Sequence, residues 1–126
     1  MHEFSICEQI VQHVLKCLQQ IPSARLISVK VVIGCFRQVH PEYLIDAYNI
    51  LTKGTKAEGS VLHVEISFAH AKCKQCGWQG KLNSITYTCT ECGAQQLEFN
   101  GGMECYIESL EISEDSNNYE KQNVAS

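Results

Sequence analysis

The chain has 126 residues, 44% of them hydrophobic, which suffices for one compact domain or a small domain with an appendage. Ten basic against 14 acidic side chains leave a net charge of −4, which disfavours nucleic-acid phosphates as a partner. No apolar run reaches the roughly 18 residues of a membrane span, and Glu8, Gln9, Gln12 and His13 break the stretch that an export signal would need.

From Phe4 to Ile21 the apolar residues recur at helical spacing. Ile6, Ile10, Val14, Cys17 and Ile21 share one side with Cys7, Val11, Leu15 and Leu18, opposite Gln9, Gln12, Lys16 and Gln20. This pattern predicts an amphipathic helix, with Ser5 as its cap, Glu8 as the capping-box partner and Pro22 as its stop. The four residues before Ser5 are then expected outside the helix, as a short strand. Residues 26–33 alternate, with Ile27, Val29, Val31 and Ile33 expected to face the core. A loop through Cys35 follows Gly34, and the pattern gives that cysteine no role. Pro41 suits the first turn of a second helix, whose apolar face is Leu44, Ala47, Tyr48 and Leu51 and whose stop is Gly54.

A second alternating run at 61–69 points Leu62, Val64, Ile66 and Phe68 inward and His63 and Glu65 outward. A last strand from about Glu104 to Ile112 changes phase between Cys105/Ile107 and Leu110/Ile112, so a bulge near Ser109 is expected. The fold class is α/β (α+β): a small mixed sheet of about three strands with two helices. Cys7, Cys17 and Cys105 fall on apolar faces and read as small core residues.

Residues 70–102 differ in character, being poor in aliphatics and rich in cysteine and glycine. They carry Cys73-x2-Cys76-x12-Cys89-x2-Cys92, with Gly77 and Gly93 after the two pairs. In a reducing cytoplasm, the compartment expected without an export signal, such pairs are metal ligands more often than disulfides. Four thiolates suit tetrahedral zinc and leave no open position for chemistry. About thirty residues cannot bury enough surface to fold unaided, and zinc supplies on the order of 10 kcal/mol in comparable peptides. His70, three residues before Cys73, reads as a solvated histidine.

His2 follows a terminal amine. The amine, the His2 amide nitrogen and the imidazole Nδ1 make adjacent chelate rings, and the Glu3 amide is a fourth donor. A nitrogen plane of this kind favours Ni(II) or Cu(II) over zinc. On the chemistry alone, a surface histidine near a frayed terminus remains the simpler reading.

The motifs MHEFS, VVIG, VHPEYL, a GT after the second helix, two CxxCG pairs and a closing G-x-E strand, in this order over about residues 1–112, resemble the HypA/HybF family of nickel metallochaperones for [NiFe]-hydrogenase maturation. The resemblance implies an α/β domain with an inserted zinc-ribbon-like domain. Nickel would bind at Met1, His2 and Glu3, with His2 the essential ligand and Glu3 tuning the site. Zinc would sit on Cys73, Cys76, Cys89 and Cys92. The implied partners are a HypB-type GTPase, the hydrogenase large subunit and, in some organisms, urease maturation proteins. On this reading the domains are 1–69 with 103–113 for nickel, 70–102 for zinc, and a disordered tail at 114–126. The chain would be a monomer or homodimer and not an enzyme, since it lacks GxxxxGK[ST] and any nucleophile–base pair.

The chain departs from the family in its second knuckle, CTEC, where proline often follows the first cysteine, and in Cys35 and His40. His40 reads as a helix-start histidine. Two other readings stay open. One is a zinc-ribbon module for protein or nucleic acid using Lys72, Lys74, Lys81, Trp78 and Tyr87. The other is a CxxC redox protein.

Overall fold

A computed structural model describes residues 2–113 and 122–123. Helix α1 (Glu3–Gln19) buries Cys7, Ile10, Val11, Val14, Cys17 and Leu18, the stripe that the 3.6-residue period requires. It begins three residues earlier than expected. His2 is its N-cap, and the Ile6 N–H closes the first turn on the His2 carbonyl at 3.1 Å. No side chain caps it, so Ser5 lies inside the helix rather than at its head, and no strand precedes it among the described residues. At the other end the Lys56 ammonium donates to the carbonyls of Leu18, Ile21 and Pro22 at 3.2, 3.2 and 2.9 Å. A cation there satisfies the orphan carbonyls and opposes the helix dipole.

Strand β1 (Leu26–Gly34) is central in the main sheet. It runs parallel to β2 (Val61–Ser67) and antiparallel to β6 (Cys105–Ile112), and β6 in turn pairs with β7 (Gln122–Asn123). The sheet is therefore mixed, as expected. Two register shifts set which side chains reach the core. Between Lys30↔Ser109 and Val31↔Ile107 the β6 strand carries the extra residue Glu108, so Cys105 and Ile107 and then Leu110 and Ile112 all turn inward. The expected bulge is there. A second shift, between Leu26↔Ile112 and Ser28↔Glu111, leaves Ile27 as the extra residue on β1. Ile27 is consequently 41% exposed, contrary to the alternation, and Leu26 takes the core position.

Helix α2 (Pro41–Leu51) places proline in its first turn and buries Leu44, Ala47 and Tyr48. The Tyr48 hydroxyl shares a 2.6 Å hydrogen bond with the Ser60 hydroxyl, which removes the cost of burying either one alone. One core holds both helices, β1, β2 and β6.

A second sheet has the order β4–β3–β5, formed by β3 (Ala69–Cys73), β4 (Gln79–Leu82) and β5 (Leu97–Asn100). The chain passes from β2 to β3 through Phe68, which is 51% exposed rather than inward, because the alternating strand ends at Ser67. The two sheets meet at the 3-10 turn Cys35–Arg37. There Gly34 N–H donates to the Glu104 carbonyl at 2.7 Å and Phe36 N–H to the Gly102 carbonyl at 2.8 Å. A Cβ on Gly34 would fall 2.1 Å from the Gly102 carbonyl, so only glycine permits this approach. Of the tail expected at 114–126, residues 114–121 and 124–126 lie outside the described residues.

Candidate metal centres

Each CxxCG pair folds into the same short turn. Gly77 N–H returns to the Cys73 carbonyl at 3.0 Å, and Gly93 N–H to the Cys89 carbonyl at 2.9 Å. Both glycines have positive φ, 82° and 76°, which a side chain would resist. Cys73 N–H bonds to Trp78 O and Cys89 N–H to Ala94 O, each at 2.8 Å, so the two knuckles present their sulfurs alike.

The four sulfurs converge, all within 4.8 Å of one another. Cys73–Cys92 and Cys76–Cys89 are each 3.7 Å apart. That separation is far beyond a disulfide bond of about 2.05 Å, and it matches the roughly 3.8 Å edge of a tetrahedron with metal–sulfur bonds of about 2.3 Å. Backbone N–H groups, that of Cys76 foremost, bring the Cys73 thiol down to about 7. This donor set can hold a soft or borderline ion without further movement. Cys73 and Cys89 are buried while Cys76 and Cys92 face solvent, which gives an ion a path in.

The N-terminal residues form a different kind of site. His2, Glu3, Gln38, Val39, His40 and Tyr43 line an open pocket of about 490 Å³. The His40 backbone N–H donates to Glu3 Oε2 at 2.9 Å, tying the start of α1 to the start of α2. The Glu3 carboxyl is held down to about 2, first by the chain's terminal amine and then by the His40 N–H. The His40 ring lies 5.3 Å from the Tyr43 ring. His2 and Gln38, with φ of 61° and 56°, are the non-glycine residues of positive φ among those described. Both line this pocket, and left-handed backbone costs about 1–2 kcal/mol per residue. Sequence pattern did not reveal Gln38, Val39 or Tyr43 as pocket residues. A non-glycine residue forced to positive φ leaves no signature in composition.

His70 lies exposed on β3, paired across to Lys81 and Asn100 and outside the sulfur cluster. Cys7, Cys17 and Cys105 are buried in the core, and burial pushes the Cys7 thiol up to about 12. Cys35 is buried at the junction, its sulfur 3.4 Å from the Leu82 carbonyl. Of the basic residues in the cysteine-bearing region, Lys74 pairs with Glu98 at 3.6 Å, and Lys81 lies 5.7 Å from the centre of the Phe68 ring.

Comparison with known proteins decides the family. Residues 1–112 match the model described as "HypA: Hydrogenase/urease nickel incorporation, metallochaperone, hypA". The chain belongs to the HypA family. Hydrogenase maturation factor HypA of Acidithiobacillus ferrooxidans is 34% identical, over 89% of this chain and 99% of that one. The factor of the same name from Aquifex aeolicus is 30% identical, over 91% and 100%. Two solution structures share the fold. One, of the Ni metallochaperone HypA from Helicobacter pylori, has a TM-score of 0.59 at 19% identity and covers 89% of this chain and 97% of that one. The other, titled a solution structure of HypA protein, has a TM-score of 0.62 at 20% identity over 90% and 97%. The chain is thus a member of a hydrogenase-maturation nickel metallochaperone family and carries a four-cysteine metal-binding site. No helix of the described residues is long and apolar enough to cross a membrane.

Proposed function

We propose that this chain carries Ni(II) at its N-terminus and delivers it for [NiFe]-hydrogenase maturation, with Zn(II) held structurally by Cys73, Cys76, Cys89 and Cys92. The observation that carries the reading is the His2–Glu3 pocket at the head of α1 in a chain of this family. The ligands are the Met1 amine, the His2 and Glu3 amide nitrogens and the His2 imidazole. Because α1 starts at Glu3, those two amides belong to the first turn, where the intrahelical ladder makes no demand on them. Binding an ion there therefore breaks no helical bond. The side-chain donors of His2, Glu3 and His40 do not converge as the four sulfurs do, so the proposed plane combines backbone nitrogens with the single His2 imidazole rather than using a preformed side-chain cluster.

A carrier must also release its cargo, and an exposed end-of-chain site exchanges ligands readily. By the Irving–Williams order copper binds such nitrogens more tightly than nickel, so selectivity comes from metal supply and docking. The partners proposed are a HypB-type GTPase, the hydrogenase large subunit and, in some organisms, urease maturation proteins. The chain works in the cytoplasm and catalyses no reaction. Its domains are 1–69 with 103–113 for nickel and 70–102 for zinc.

The test is a nickel titration of untagged, zinc-loaded protein beside His2→Ala. One nickel per chain, with a planar-type d–d absorption band lost in the variant, is the expected result. Equal binding by both proteins would remove nickel from the N-terminus.

A further inference from the structure

We propose that residues 34–40 are a strap that couples the cysteine-bearing sheet to the His2–Glu3 pocket, an inference that rests on the nickel reading above for its functional meaning.

One end of the strap is fastened at four points, two on the second sheet (Leu82 and Phe99) and two on the turn that leads out of it (Gly102 and Met103). Phe36 N–H donates to Gly102 O at 2.8 Å, and Arg37 Nε–H to Met103 O at 2.6 Å. Cys35 Sγ lies 3.4 Å from Leu82 O, and the Phe36 ring meets the Phe99 ring edge-on at 5.1 Å. The other end is the His40 N–H held by Glu3 at 2.9 Å. Two residues, Gln38 and Val39, separate Arg37 from His40, and the bend between them is made by Gln38 in the left-handed region. Such a residue persists only while its surroundings over-determine it. The segment is too short and too well fastened to absorb a shift at Gly102 or Met103 within itself. A displacement there reaches the His40 N–H, and with it the Glu3 side chain next to His2. Coupling free energy is reciprocal, so occupancy at His2 acts back on the junction.

The experiment uses the full zinc-loaded chain and a double-mutant cycle. Gly102→Ala drives a Cβ to within 2.8 Å of the Phe36 ring and 2.9 Å of the Ala69 Cβ, displacing the far end of the strap. Gln38→Gly relaxes its middle, since glycine adopts the same φ without cost. The expected result is that Gly102→Ala changes the His40 amide exchange rate and the nickel Kd by about fivefold or more, and that both effects vanish in the Gln38→Gly background. Arg37→Ala, which only removes the bond to Met103, gives the same direction and serves if Gly102→Ala does not fold. Glu98→Ala, on the second sheet but off the strap, leaves both readings unchanged. An unaltered His40 amide in Gly102→Ala and Arg37→Ala, with zinc retained, overturns the strap, as does a nickel Kd that ignores both changes. If nickel binding does not depend on His2, the nickel reading falls, and the His40 exchange alone decides whether the strap exists.

Discussion

Glu3 and His40 are joined by a 2.9 Å hydrogen bond across 37 positions of sequence, carboxylate to backbone N–H. It ties the first turns of the two helices together beside the proposed nickel site. Glu3→Ala removes the acceptor and leaves the His40 N–H to solvent. Because Glu3 is only partly buried, the expected loss of global stability is small, at most about 1 kcal/mol. The local effect is larger. His40 and Tyr43 amides, which head α2, should exchange faster than in the wild type, while the Leu44 and Tyr48 side chains keep their packing. Amide exchange followed residue by residue checks this, and uniform protection across α2 in the variant would rule the tie out.

The cysteine cluster makes a sharper demand. β3, β4 and β5 are four or five residues each, and the buried side chains of this region are small, namely Ala69, Ala71 and Cys73 on β3 and Cys89 in the second knuckle. Zinc held there as proposed would contribute on the order of 10 kcal/mol and would be the main force holding this part of the chain. Cys73→Ala should lose tightly bound zinc and the β3–β4–β5 pairing, and the α1/α2/β1/β6 core should survive, since it shares no ligand with the cluster. Metal analysis beside far-UV circular dichroism tests both halves. A variant with one zinc per chain retained would refute the four-sulfur assignment.

Much of this was legible in the sequence because the signals were periodic or covalent. The stripe of α1, the proline at the head of α2, the β6 phase change and the paired CxxCG turns each follow from local spacing. The departures have one origin in tertiary contacts. Ile27 turns outward because β1 slips by one residue against β6, although its own alternation points in. Ser5 is not the cap because α1 already begins at Glu3, whose carboxylate accepts from His40, a residue that no local rule connects to it. The three carbonyls that Lys56 collects from the end of α1 are equally invisible, since Lys56 lies 34 to 38 positions away from them.

That lysine gives a clean stability test. Lys56→Met keeps the aliphatic stem but removes the charge and all three hydrogen bonds. A cation at a helix C-terminus contributes about 0.3–1 kcal/mol, and up to about 2 kcal/mol where partly buried. The expected loss is about 1 kcal/mol, or a fall in Tm of about 3–5 °C. Thermal melts of the zinc-loaded protein measure it. Lys56→Arg should recover part of the loss, whereas a Met variant as stable as the wild type would show that the carbonyls are satisfied by water at no cost.

Glu104 provides the pH dependence. Its carboxylate accepts hydrogen bonds from its own backbone N–H and from Gly102 N–H, the latter at 2.6 Å, and these hold its pKa below the ordinary 4.5. A carboxyl lowered by folding stabilises the folded state fully above its unfolded pKa, and that contribution is lost as pH falls through the folded value. The junction between the two sheets should therefore weaken as pH drops below about 4.5, with no such effect between neutral and mildly acid conditions. Glu104→Gln retains an oxygen for Gly102 but has no charge to lose. Its urea midpoint should start lower at neutral pH and vary less with acid, so that the two proteins converge at low pH. Parallel pH profiles for the two proteins would mean that the Gly102–Glu104 contact contributes nothing that depends on ionisation.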